Sequence, residues 1–171
     1  MVFHVTQRGN RRAPIFEDDD DRGFFLSFFG RVVIREKWDC FSYCLLSNHY
    51  HCIVRAEPTS LARGMQWLNA LYAQAFNNKY RLRGHLFEGP YRKWVIESNQ
   101  HLVEACRYIE LNPVRAGLCE HPREWPWSSY RALVGLAPMP PFLTGDCEAR
   151  RTGAAYAEYV DDALPKKALS L

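Results

Sequence analysis

The chain has no Cys-x-x-Cys pair, no apolar run near the roughly 18 residues of a membrane span, no internal repeat and no low-complexity tract. The first absence excludes the common zinc-finger and dithiol redox motifs, and the others exclude a spanning helix, a solenoid and a disordered chain. No basic stretch followed by an apolar segment opens the sequence, so nothing suggests export. The six cysteines, Cys40, Cys44, Cys52, Cys106, Cys119 and Cys147, fall mostly inside apolar runs, where a free thiol packs as a small hydrophobe. A reduced, cytoplasmic protein is expected. Charge of one sign is also scarce: the net formal charge is +3 and the pI about 8.5, too little to name a partner by itself.

What is present is enough for a packed core. The 171 residues are 47% apolar and 14% aromatic, which fits one main domain over residues 1–135, with a proline-marked linker and helical tail over 136–171. Cations cluster locally. Between Lys79 and Glu97 stand Lys79, Arg81, Arg83, Arg92 and Lys93 against Glu88 and Glu97, and a second group, Arg8, Arg11 and Arg12, follows the first strand. If these segments converge they make a phosphate-binding surface; otherwise they are a solvated face.

Periodicity predicts a strand over Val2–Gln7 and a helix from about Asp20 to Lys37, with acidic residues 17–21 suited to its N-terminus. Strands over Asp39–Ser47 and His49–Arg55 follow, joined by a tight turn. The next helix opens at Pro58 with Leu61, Met65, Leu68, Tyr72, Ala75 and Phe76 on its apolar stripe. Asn77–Pro90 reads as a loop and Tyr91–Glu97 as a strand. Ser98 is the N-cap of a helix running to Leu111, ended by Pro113. A weak helical pattern occupies Glu148–Leu164. The order βαββαβ predicts an α+β, ferredoxin-like antiparallel sheet with helices on one face, plus a further helix at the C-terminal side.

His49 and His51 flank Tyr50 on a strand, so both imidazoles point the same way and make a two-point metal clamp, or else a pair of hydrogen-bonded surface histidines. On the helix after Ser98 the core stripe is Leu102, Cys106 and Ile109, which leaves Tyr108 and Asn112 together at its flank. The Asn112 amide oxygen is a candidate third ligand with Tyr108 beside it; the competing reading has Tyr108 sealing the core edge.

Four blocks, Asn48-His-Tyr-His51, Gly84-His-Leu-Phe87 with Gly89 and Tyr91, Tyr108-Ile-Glu-Leu-Asn-Pro-Val-Arg-Ala-Gly117 and Trp125-Pro-Trp-Ser-Ser-Tyr130, resemble the REP-associated tyrosine transposases, a branch of the single-tyrosine HUH nucleases. The likeness runs from about Phe3 to Leu133 and includes Val5-Thr-Gln-Arg-Gly-Asn-Arg11. Three positions depart from the pattern: Tyr50 in the apolar middle of the HUH motif, Ser47 where proline is common, and Pro90 where a basic residue is frequent. A few residues typical of the family before the first strand are also absent. The resemblance implies a ferredoxin-like fold with His49 and His51 on a central strand, Tyr108 as nucleophile on a later helix, and Asn112 as amide ligand. It implies metal-dependent cleavage and rejoining of single-stranded DNA at hairpins through a covalent 5′-phosphotyrosine. Mg²⁺ or Mn²⁺ is the expected ion, and two imidazoles would also accept Zn²⁺.

Within that expectation Arg8, Asn10, Arg11, Lys79, Arg81, Arg83, His85, Arg92 and Lys93 are the DNA-binding candidates, with Phe87 and Tyr91 as platforms for unpaired bases. Trp125, Trp127 and Tyr130 are read as core or lid. The expected partner is hairpin-bearing single-stranded DNA, no membrane, for a monomer or homodimer in the nucleoid. Two alternatives stand beside the transposase: a domesticated hairpin-binding protein without catalysis, and a metal hydrolase that uses water and leaves Tyr108 structural.

Overall fold

The computed structural model describes residues 1–164. Its four strands are β1 (Val2–Arg8), β2 (Asp39–Leu45), β3 (His49–Arg55) and β4 (Arg92–Ile96), in the sheet order β2-β3-β1-β4 with each neighbouring pair antiparallel. The helices are α1 (Asp19–Arg35), α2 (Pro58–Tyr80), α3 (Asn99–Glu110), α4 (Asn112–Arg115), α5 (Tyr130–Leu133) and α6 (Ala154–Asp161). The α+β, ferredoxin-like expectation holds. α1 joins β1 to β2 across β3, and α2 joins β3 to β4 across β1. Both crossovers share one hand and so cover one face of the sheet.

Local chemistry explains the boundaries. The Asp18 side chain accepts from the Asp21 amide at 2.9 Å and caps α1, while Asp19, Asp20 and Asp21 meet the positive end of the helix. The Ser98 side chain caps α3 by accepting from the His101 amide at 3.1 Å, as its position in the sequence predicts. α2 runs to Tyr80, past the glycine-free start of the expected loop, and ends where Arg81 turns left-handed. Pro113 interrupts less than expected. Leu111 stays in the right-handed helical region and Asn112 begins α4, with Pro113 in its first turn, where an amide N–H has no intrahelical partner to lose.

Strand alternation divides the side chains. Phe3, Val5, Tyr50, Cys52 and Val54 are buried under α1 and α2. Tyr50 packs 4.5 Å from the Phe25 ring centroid and donates its hydroxyl to Asn69 Oδ1 of α2 at 2.8 Å. Each such apolar side chain contributes about 1.5–3 kcal/mol by leaving water. On the opposite face His4, Thr6 and Arg8 of β1 stand beside Ile53, His51 and His49 of β3. α3 covers only the β2 side of that face, anchored where Glu110 accepts from Ser42.

The region after the proline cluster folds back onto this body. Leu143 bridges to Cys40, and Tyr156 and Val160 of α6 are buried with the main core. The predicted tail helix is shorter than its pattern, and the last part of the predicted tail, residues 165–171, lies outside the described residues. All six cysteines are free thiols; Cys40, Cys44, Cys52 and Cys106 are buried, and burial pushes Cys52 up to about 12. Among the described residues no helix is long and apolar enough to cross a membrane.

Candidate active site

The open half of the second face gathers histidines. His49 and His51, two apart on β3, have ring centroids 5.1 Å apart. The Asn48 amide is oriented by its nitrogen, which donates to Arg12 O at 3.1 Å, so its oxygen accepts from His49 Nδ1–H at 2.6 Å and leaves His49 Nε2 with a free lone pair. His51 Nδ1 lies 3.0 Å from His4 Nε2. With the proton on His51 Nδ1, His51 Nε2 is likewise free. Burial holds all three imidazoles well below their usual range: His4 is lowered to about 4 by burial and then by His101, His49 to about 4 by burial and then by Arg8, and His51 to about 3 by burial, then His4 and His49. They are neutral at neutral pH, the form that binds metal.

α3 brings the phenol to this group. Glu110 is buried and pins the helix: its Oε1 accepts from Ser42 and Ser129, each at 2.8 Å, and its Oε2 from Tyr156 at 2.7 Å. Burial raises its carboxyl above the usual range. Two residues earlier on the helix, Tyr108 projects differently. It is 49% exposed, and its ring lies edge-on to His4 with centroids 6.5 Å apart. Arg115 of α4 sits 4.6 Å from the Tyr108 ring centroid and donates to the Tyr108 carbonyl at 3.2 Å. Asn112 presents a side-chain nitrogen that is buried without a hydrogen-bond partner among the described residues, a condition that disfavours a polar group by about 1–3 kcal/mol.

Beside His51 opens a cavity of about 400 Å³ whose walls include Arg8, Arg92, Glu88 and Trp94. Backbone bonds build it. The Glu88 amide donates to Arg8 O at 3.0 Å and the Asn10 amide to Leu86 O at 2.8 Å, so the two basic segments do converge. Gly9 sits at their junction, where a Cβ would fall 2.1 Å from Ala13 O. The candidate cations separate accordingly. Arg8 and Arg92 flank His51; Arg11, Arg81 and Arg83 are exposed nearby in sequence, and His85 lines a neighbouring cavity. Lys79 instead pairs with Asp18 and Asp21 at 2.8 Å each, and Lys93 lies on the other face over the Phe3 ring at 5.3 Å. Of the three residues expected in core or lid, Tyr130 is buried, Trp127 packs half-buried against the core, and Trp125, also half-buried, donates to Leu45 O at 3.0 Å.

Three neighbours of the site escaped the sequence reading. His4 shares the β1 alternation of Thr6 and Arg8, yet pairing it with His51 requires the β1–β3 register. Trp94, 51% exposed and 5.5 Å from His4, sits on edge strand β4, where burial alone would place a tryptophan inside. Arg115 reaches Tyr108 only because the chain continues helically past Pro113.

A model of the IS200-like transposases matches residues 1–112. The chain belongs to the IS200-like transposase family. The fold of this transposase is similar to that of a REP-associated tyrosine transposase solved bound to a REP hairpin: TM-score 0.62, 18% identity, 89% of this chain and 90% of that one covered. A second structure, a candidate transposase from Deinococcus radiodurans R1, aligns at TM-score 0.47 and 13% identity over 64% of this chain and 88% of that one. No curated protein sequence matches the transposase.

Proposed function

We propose that this transposase nicks and rejoins single-stranded DNA at hairpin-bearing sequences, with Tyr108 as nucleophile and a divalent cation held by His49, His51 and Asn112. The observation that carries the reading is the meeting of phenol and imidazoles within one chain. Tyr108 stands half-exposed beside His4, which is bonded to His51, on the face that also bears Arg8 and Arg92. One chain supplies both groups, which supports action as a monomer.

The residues fit a metal. Among the described residues no cluster of three or more His, Cys, Asp or Glu is arranged to hold one, so in this reading the third protein ligand is of another type. We assign that place to the carboxamide oxygen of Asn112, whose amide nitrogen has no hydrogen-bond partner among the described residues. Mg²⁺ or Mn²⁺ is the proposed ion, since an amide oxygen suits a hard cation, and the two neutral imidazoles would also accept Zn²⁺. When bound, the ion supplies positive charge at the scissile phosphate and withdraws electron density from it.

The chain's own groups do the rest. Arg8 and Arg92 hold the phosphates entering the cavity at His51. The Tyr108 oxygen attacks phosphorus as its proton leaves, and the bond to the 3′ oxygen breaks. That oxygen takes up a proton and departs as a hydroxyl. The phosphotyrosine keeps the phosphodiester energy, so a new 3′-hydroxyl reverses the step and joins strands without a nucleotide cofactor. Arg115, packed on the Tyr108 ring, holds the phenol in place between these steps.

The test is a denaturant-resistant protein–DNA adduct formed with labelled hairpin DNA in Mg²⁺ or Mn²⁺. Wild type should form it, and Tyr108→Phe should bind the hairpin and form none. Cleavage without an adduct, persisting in Tyr108→Phe, would install the water-using hydrolase in its place. Hairpin binding with no cleavage by wild type in either ion would install the binding-only reading.

A further inference from the structure

α2 carries two stripes. One is the core stripe; the other, Gln66, Asn69 and Ala73 at spacings of three and four, forms one wall of a cavity of about 670 Å³. The facing wall is the Gly84–Tyr91 loop, which presents His85, Phe87 and Tyr91. This loop is tied down at several points. Asn77 donates to Gly84 O at 3.0 Å, Gly9 bridges to Phe87, and Gln7 Nε2 donates to Gly89 O at 2.9 Å. The space therefore exists before anything enters it, and its volume is that of a small-molecule site.

Two of its polar side chains, Asn69 and Gln66, have hydrogen-bonding groups to spare. Asn69 Oδ1 accepts from Tyr50, which fixes the amide and leaves its two N–H donors without an acceptor among the described residues. The Gln66 side chain is exposed and makes no hydrogen bond among them. Gln7, by contrast, has both ends of its amide engaged, since its Oε1 also accepts from the Arg8 amide at 3.3 Å, and acts as fixed wall. Gln7, Gly89 and Pro90 are shared with the cavity at His51, so one partition separates the two spaces. A chain passing from one to the other crosses Arg8 and Arg92.

Aromatic rings opposite free amides, next to a cationic phosphate track, are the chemistry that holds a nucleobase outside a duplex. We propose that the cavity between α2 and the Gly84–Tyr91 loop takes one unpaired nucleobase of the strand being cut, stacked against the loop aromatics and read through Gln66 and Asn69. The proposal rests on the single-strand nicking reading above and adds the place where sequence is read. Asn69 turns its two free N–H donors to the cavity, so a base that presents acceptor atoms at that edge is favoured.

The experiment is an abasic scan. Hairpin DNA with a single-stranded flank is prepared with each flank nucleotide replaced in turn by an abasic site, and Kd is measured for wild type, Ala73→Phe, which fills the cavity, and Gln66→Ala, an exposed change that leaves folding intact. One flank position should weaken wild-type binding on the order of tenfold when abasic. Ala73→Phe should show that same loss on intact DNA and no further loss at that position, and Gln66→Ala should show a smaller loss confined to it. If both variants bind intact DNA as wild type does, or their losses multiply with the abasic loss at every position, the base site is wrong while hairpin nicking stands. If wild type neither binds nor nicks hairpin DNA, the functional reading falls and takes this proposal with it.

Discussion

Tyr50 and Tyr108 carry the same phenol to opposite sides of the sheet and meet opposite fates. Tyr50 is 1% exposed, wedged against Phe25, with its hydroxyl bound to Asn69; Tyr108 is 49% exposed beside His4, with Arg115 over its ring. The faces to which they belong differ in the same way. One is apolar and closed by α1 and α2, and the other is polar, cationic and only partly covered by α3. In His49-Tyr50-His51 the two faces alternate within three residues, so a strand's period of two lets adjacent positions serve stability and chemistry separately. Tyr50 in the middle of the HUH motif is therefore a core residue, and its departure from a plain apolar side chain is satisfied by the Asn69 bond.

The sharpest way to break this comparison is to remove each phenol. Under the proposed mechanism Tyr108→Phe removes the attacking oxygen and should lower the rate of adduct formation at least ~10³-fold, while its melting temperature stays that of wild type. Tyr50→Ala should do the reverse: about 3–5 kcal/mol of stability lost in urea melts, from the cavity and the stranded Asn69 amide. A Tyr108→Phe protein that unfolds as readily as Tyr50→Ala would mean that both phenols are structural.

Much of this division was legible in the sequence. The strand order, the Ser98 cap, the buried stripe of α2 and the shared face of His49 and His51 follow from periodicities that operate within a few residues. Glu110 and His4 were not legible in their roles, because their partners lie 19 to 68 residues away for Glu110 and 47 for His4. Only the register of β1 on β3 and the return of α6 bring them together. Lys79 shows the same limit. Its charge is visible in the sequence, and its neutralisation by Asp18 and Asp21 is a tertiary fact.

The open face should also be the pH-sensitive one. His4 and His49 fall to about 4 and His51 to about 3 in the fold, against 6.5 unperturbed. Between those values the unfolded chain binds more protons than the folded one, so stability is full above about pH 6.5 and declines as pH falls toward 4. On the order of 1–2 kcal/mol per imidazole should disappear between pH 7 and 5. Thermal melts across that range, compared with a His4→Gln, His49→Gln, His51→Gln triple variant, read the effect. The variant should show a flatter dependence, and parallel curves would place the acid sensitivity elsewhere, with the buried groups of the closed face.

The smallest effect separates cations by face. Arg8 lies at the cavity beside His51, whereas Lys79 is held by two carboxylates in the helical layer and Lys93 lies over Phe3 on the closed side. Each phosphate contact that is lost should reduce the slope of log Kd against log salt by about 0.7 to 1. Arg8→Ala should therefore flatten the salt dependence of hairpin binding by roughly one contact, and Lys79→Ala and Lys93→Ala by none. The three substitutions remove the same formal charge, so a net-charge effect would treat them alike. Equal slopes for all three would show that DNA senses the protein's overall field and not the face on which a cation stands.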